Sequence, residues 1–191
     1  MSAIEKKRWT AEEYLAFEAA SDEKHEFIAG EIYAASGASQ RHNIIVSNVI
    51  TAIGLQLRGL PSRVYPSHML VSVTATGDYL YPDISVVCGE SDIVHNKQDM
   101  LLNPTLVIEV LSPSTEKLDR GRKFLSYRAL NSLQEYLLIA QDEVLVERFV
   151  RQADGQWLFS DATSPDSIIE LKSINCQLAL SEVYDKVSRE A

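Results

Sequence analysis

Long apolar runs are missing from this 191-residue chain: no window approaches the ~20 apolar residues a helix needs to cross a bilayer. The opening stretch, MSAIEKKRWTAEE, is polar and lacks the apolar segment of a secretory signal. Cysteine is scarce. Cys88 and Cys176 lie far apart in sequence without metal-ligand spacing, and Cys88 falls in a core-strand pattern, so reduced thiols in a cytoplasmic protein are expected. His25, His68 and His95 show no ligand spacing either, which argues against zinc. Positive charge is in deficit: 18 Lys and Arg stand against 27 Asp and Glu, a net charge of -9. Wholesale, sequence-independent binding to nucleic acid rests on clustered positive charge, so any such function here needs a local basic patch or a metal ion. Gly30, Gly37 and Gly121 form no phosphate-cradling loop, and Ser112 and Ser114 sit in no nucleophile elbow. Trp9, Trp157 and the eight tyrosines are scattered and form no stacking platform for bases.

What the chain does have is room for a core. It is 46% hydrophobic and 24% charged, without repeats, low-complexity tracts or linkers, which predicts one domain over residues 1–191. Thr10 and Glu13 form a capping-box pattern ahead of a short helix over residues 11–20. His25–Tyr33 reads as a hairpin turning at Ala29-Gly30. Ser39 caps a longer helix over residues 40–58, with Ile45, Val49, Ile53 and Leu57 on its apolar face. Residues 63–74 and 79–88 read as two strands joined by the turn at 75–78, and 89–103 as a polar loop. A strand at 105–111, a helix at 116–131 and a strand at 135–140 predict a parallel crossover. Residues 144–150 pair back, Asp154-Gly155 marks another hairpin, and short elements at 168–171 and 176–180 close the chain. The class is α+β, a mixed sheet flanked by helices.

Two of these apolar strands are each interrupted by one carboxylate: Asp83 in YPDISVVC and Glu109 in TLVIEVL. A buried charge is costly unless it is paired or holds a cation. If the strands are neighbours, alternation lets the two acids converge, Glu109 sharing a face with Val107 and Leu111, and Asp83 one with Ser85 and Val87. Carboxylate oxygens suit Mg²⁺ or Mn²⁺, which keep waters for chemistry and can stabilise charge on a phosphodiester. The helix that follows is crowded with Lys117, Arg120, Arg122, Lys123 and Arg128, and Asp119, Lys123 and Tyr127 recur every four residues on one face. Lys123 is either half of a solvated pair with Asp119 or a donor to a metal-bound water or phosphate oxygen; the spacing allows both. Glu170-Leu171-Lys172 also offers an acid-x-lysine pattern, but in a terminal strand 87 residues beyond Asp83, where surface alternation explains it.

Taken together, His25-Glu26, Gly30-Glu31, Ser39 with His42, Tyr81-Pro82-Asp83, the run IEVLSPST from Ile108, Asp119 with Lys123 and Tyr127, and Glu135-Tyr136 resemble the Uma-type restriction endonuclease family. That family belongs to the PD-(D/E)xK nuclease superfamily with its restriction-endonuclease-like fold. The resemblance runs nearly the whole chain, in order. It implies a metal-dependent endonuclease acting on nucleic acid, DNA in the first instance, with Mg²⁺ or Mn²⁺ on Asp83, Glu109 and the backbone carbonyl of Val110. In the superfamily pattern the lysine stands two residues after the second acid. Here that position is Leu111, and the resemblance implies that Lys123 replaces it and that Glu26 is a further acid of the site. His42 opens the second helix, where a cap-region role is the ordinary expectation and the resemblance turns it towards the site. A homodimer is expected by analogy, since two-fold symmetry serves the cutting of two strands. Leu111 and the acidic balance also fit a non-catalytic binding module that keeps the nuclease fold.

Overall fold

The computed structural model describes residues 8–35 and 37–188; most of the polar opening stretch lies outside them. The chain begins with α1 (Ala11–Glu18), started by the Thr10–Glu13 capping box in full: the Thr10 hydroxyl accepts from Glu13 N–H, and the Glu13 carboxylate accepts from Thr10 N–H. Thr10→Ala is expected to cost about 1 kcal/mol, read as a lower urea midpoint with an unchanged slope. A hairpin follows, β1 (His25–Ile28) and β2 (Glu31–Ala34), whose turn holds Ala29 at φ 51° and Gly30 at φ 82°. Two successive positive φ angles give the tight turn whose twist matches the strands. Ser39 caps α2 (Gln40–Gln56), which buries Ile45, Val49 and Ile53.

Over residues 62–88 the chain changes sheet twice, and the two expected long strands become four. Residues 62–73 divide into β3 (Ser62–Pro66) and β4 (Leu70–Val73), and residues 78–88 into β5 (Asp78–Leu80) and β6 (Ile84–Cys88). Pro66 and Pro82 sit at the two breaks; a proline has no N–H to give a ladder and ends pairing there. Asp83 therefore precedes β6 rather than alternating within it. The expected polar loop at 89–103 contains two short strands, β7 (Ile93–Val94) and β8 (Met100–Leu101). Then come β9 (Leu106–Leu111), α3 (Glu116–Leu118), a π-helical turn (Asp119–Lys123), α4 (Phe124–Tyr127) and β10 (Glu135–Ala140). The expected helix at 116–131 is thus shorter and widened in its middle. β11 (Val146–Arg151), β12 (Trp157–Ala162), β13 (Ile168–Leu171), β14 (Cys176–Ala179) and α5 (Leu180–Val183) complete the order.

One six-stranded sheet runs β2-β1-β5-β4-β8-β7, a second runs β12-β11-β10-β9-β6-β3, and β13 pairs with β14 alone. β9 and β10 pair in parallel across the helical connection, as the strand-helix-strand pattern predicts, and β6 pairs antiparallel with β9. Alternation along β9 divides the core. Leu106, Ile108 and Val110 face α2, α5 and the β13–β14 pair. Val107 and Leu111 face α4 and the first sheet, and Glu109 shares that side. All six residues of β9 are buried, so its one carboxylate has no route to bulk water except through what packs against it. Cys88 departs from expectation: it ends β6 and is exposed, while Cys176 is buried.

Candidate active site

The site forms where the chain passes from the first sheet to the second. In the β6–β9 ladder, Ile84 is opposite Ile108, so the next pair would be Asp83 and Glu109. Asp83 leaves the ladder instead. Its backbone N–H donates to Glu109 Oε2 at 3.3 Å, and its own Oδ2 accepts from Val110 N–H at 2.8 Å. Two acids 26 residues apart thereby share one edge of β9. A strand residue's N–H and C=O point to the same side. The Val110 carbonyl therefore lies on the edge where its N–H meets Asp83.

Glu26 enters from β1, 6% exposed, held by the Tyr81 N–H at 2.9 Å. Lys123 enters from the π-helical turn. Its ammonium touches Glu109 Oε1 at 2.8 Å, Glu26 Oε1 at 3.0 Å and Asp119 Oδ1 at 3.1 Å. The solvated alternative for the Asp119–Lys123 pair is thereby excluded: Asp119 is 2% and Lys123 5% exposed. A π turn carries more residues per turn than an α-helix and frequently marks a functional site. Here the Asp119 carbonyl within it is taken up by the Tyr136 hydroxyl at 3.0 Å. Tyr127, four residues beyond Lys123, gives its hydroxyl to Glu109 Oε1 at 3.1 Å. His42 reaches the site, contrary to the ordinary expectation for a cap-region residue. Its Nε2 lies 3.0 Å from Asp83 Oδ2, because the Ser39 hydroxyl caps the His42 N–H and donates to Gln141 at 2.6 Å, fixing the first turn of α2.

Burial drives the Glu109 carboxyl well above the ordinary glutamate value, opposed by Lys123 and reinforced by Asp119, Asp83 and Glu26. Burial works to lower Lys123, but Glu109, then Glu26, Tyr127 and Asp119, outweigh it and hold the ammonium charged. The Tyr127 hydroxyl is pushed up by its burial and then by Glu109. These acids and Lys123 open onto a cavity of about 340 Å³, also lined by Lys24, Ser39, His42, Ser67 and Ser112.

The basic helix contributes less free charge than its composition implies. Arg120 pairs with Glu116 and Glu147, and Arg122 with Glu31. Glu170 and Lys172 are exposed, 4.0 Å apart and outside the cavity, in keeping with surface alternation. Lys24 is the lining residue that sequence reasoning missed. Its signal is its place two residues before Glu26, which puts both on one side of an extended chain.

The donor set fits a hard divalent cation. Three carboxylates, Glu26, Glu109 and Asp119, share one buried ammonium with Asp83 beside Glu109, and Asp119 Oδ1, although ion-paired, is buried without an aligned hydrogen-bond donor. Among the described residues, no three His, Cys, Asp or Glu side chains are grouped to hold a metal. Asp83, Glu109 and the Val110 carbonyl would leave the remaining coordination of such an ion to water, the habit of Mg²⁺.

A family model described as "Uma2: Putative restriction endonuclease" matches residues 11–181. The chain belongs to the Uma2 family. Two relatives come from Synechocystis sp. (strain ATCC 27184 / PCC 6803 / Kazusa). The "Uncharacterized protein slr1290" is 37% identical over 173 residues, 91% of this chain and 90% of that protein. The "Uncharacterized protein sll1609" is 37% identical over 161 residues, 84% of this chain and 91% of that one. A crystal structure from Anabaena variabilis ATCC 29413, described as "a putative nuclease belonging to DUF820", superposes with a TM-score of 0.77 at 20% identity, covering 94% of this chain and 99% of that one. At that identity the likeness establishes the fold. The restriction-endonuclease-like α+β class expected of a Uma2 chain is the fold observed. No helix among the described residues is long and apolar enough to cross a membrane.

Proposed function

We propose that this Uma2 chain is a Mg²⁺-dependent endonuclease hydrolysing nucleic-acid phosphodiester bonds, with DNA as the first substrate to test. The observation that carries the proposal is the meeting of Asp83 and Glu109 on one edge of β9, beside a buried ammonium already crowded by carboxylates. Asp83, Glu109 and the Val110 carbonyl would hold Mg²⁺, or Mn²⁺ in its place. Such an ion, when bound, stabilises charge on the phosphoryl oxygens and lowers the pKa of a bound water. It also supplies positive charge that this acidic chain lacks.

The protein's own groups have separable tasks. His42 and the Val110 N–H fix Asp83 Oδ2, leaving Oδ1 without a donor among the described residues. Tyr127 fixes Glu109. Lys123 opposes the burial that raises the Glu109 carboxyl and, once an ion draws Glu109 towards itself, is the donor placed to orient the attacking water. Glu26 holds Lys123 from the other side and is a second acceptor for a proton released at the site. A two-fold homodimer would set two such sites on the two strands of a duplex.

The test is cleavage of plasmid, linear, single-stranded and branched DNA, and of RNA, with Mg²⁺, Mn²⁺ or EDTA. Cutting with either ion and none in EDTA is expected, and a sedimentation run reads the oligomer. The enclosure of Lys123 by three carboxylates favours a second reading, a binding module without turnover. Bound nucleic acid that stays intact on every substrate, with no Mg²⁺ bound by calorimetry, would establish that reading instead.

A further inference from the structure

Two lysines face the cavity, and their surroundings differ. Lys123 Nζ has three carboxylate oxygens within 3.1 Å. An ammonium has three N–H groups, so a phosphate oxygen approaching Lys123 must displace an acid and would meet the repulsion of the others. Lys24 stands on the cavity wall formed by the start of β1 and the turn between β3 and β4. Its Nζ donates to the Ser67 carbonyl at 2.9 Å and lies 5.5 Å from the centre of the Tyr81 ring. Among the described residues no carboxylate lies within 4.0 Å of it. Two of its N–H groups are therefore uncommitted.

Its position is set from the backbone. The Lys24 carbonyl accepts from Ala35 N–H at 2.9 Å, extending the β1–β2 hairpin by one bond. The Ser67 carbonyl belongs to the crossing between the two sheets. Lys24 thus spans from the hairpin to the turn and is held at the mouth of the cavity rather than swinging in solvent. Burial brings the Lys24 ammonium below the ordinary lysine value, and Asp83, Glu26 and Glu18 oppose it through space.

We infer that Lys24 is the phosphate-binding residue of this site, its ammonium taking a non-bridging oxygen of the nucleic-acid backbone opposite the Asp83–Glu109 edge. Lys123 and Lys24 then divide work that the superfamily pattern gives to one lysine: Lys123 serves the acids and the water, and Lys24 serves the substrate. The inference rests on the nuclease reading for its catalytic consequence, but phosphate binding by Lys24 can be read without turnover.

Lys24→Gln keeps a donor for the Ser67 carbonyl and removes the charge; Lys24→Arg keeps the charge. Binding of a fluorescent oligonucleotide is measured by anisotropy in EDTA across a salt series, and cleavage is measured under kcat/KM conditions with Mg²⁺. Lys24→Gln is expected to weaken binding about tenfold to a hundredfold, as for one lost charge-assisted hydrogen bond. It is also expected to flatten the salt slope by about one phosphate contact. The melting temperature should not move, kcat/KM should fall with binding, and Lys24→Arg should recover most of both. Wild-type cutting with an unchanged salt slope and unchanged kcat/KM in Lys24→Gln would overturn the inference and leave the nuclease reading standing. Binding that weakens as expected in a protein that cuts nothing would sustain Lys24 and remove the nuclease. A wild-type chain that neither binds nor cuts overturns both.

Discussion

Asp83→Ala is expected to lower Mg²⁺-dependent cleavage by about a thousandfold or more, the scale of the several kcal/mol that a bound ion contributes to a phosphoryl transition state. The same change should erase the rise in melting temperature that Mg²⁺ gives the wild-type protein. An ion at a hundred times its dissociation constant stabilises the folded state by about 2.7 kcal/mol, or roughly 5–10 °C for a chain of this size. The metal-free variant should still fold. Losing the acceptor of the Val110 N–H costs about 1–3 kcal/mol, but removing one of two adjacent carboxylates relieves repulsion that presses on Glu109. A cooperative thermal transition without a Mg²⁺ response, and without cutting, is the expected pattern. Cutting that survives Asp83→Ala would move the active site elsewhere or expose a contaminant.

Lys123→Met should produce the largest loss of stability of any single change in the site. It leaves Glu26, Glu109 and Asp119 buried around an apolar side chain. Breaking a buried pair by deleting one partner typically costs about 3–5 kcal/mol. The pH dependence has a definite sign. Lys123 is raised above the ordinary lysine value in the folded protein. Its contribution is therefore present in full below that ordinary value, and is lost only as pH climbs through the folded one. At pH 7 the wild type has all of it. In the variant, Glu109 loses the charge that had held its pKa down, while burial and the neighbouring acids still push it up. A carboxyl whose folded pKa exceeds its unfolded one favours folding in the protonated form. Its penalty grows as pH rises from the ordinary value of 4.5 towards the folded one. The deficit of metal-free Lys123→Met should therefore shrink from pH 7 to pH 5, measured by urea unfolding at fixed ionic strength. A deficit below about 1 kcal/mol, or one that widens on acidification, would show that Lys123 is not the counter-ion of the buried acids.

The two carboxylates were legible because each breaks an apolar run, a pattern that free energy tolerates only for a reason. The place of Lys123 among the acids was legible only through the family likeness, since a four-residue spacing fits a solvent-facing pair equally well. For His42 the local sequence favours a cap-region role, and the structure puts it on Asp83 instead. The hydroxyl of Ser39 announces a helix start, but nothing local tells that the start points at Asp83, 41 residues on. Lys24 had only its place two residues before Glu26 to single it out among eighteen basic residues.

By itself the sequence determined the periodicities: which strands carry alternating core faces, where α1 and α2 begin, and that β9, a helix and β10 make a parallel unit. Those are set by neighbours within a few residues, through capping, turn geometry and burial of one face. The tertiary structure decided the rest. It split two expected strands at Pro66 and Pro82 so that the chain crosses between sheets, and it widened a helix by a π turn so that Lys123 faces three acids. It also spent Arg120 and Arg122 on ion pairs with Glu116, Glu147 and Glu31 and left Lys24 facing the cavity. Each of these depends on groups tens of residues apart competing for the same charge or the same hydrogen bond, and that competition exists only once the sheets have met.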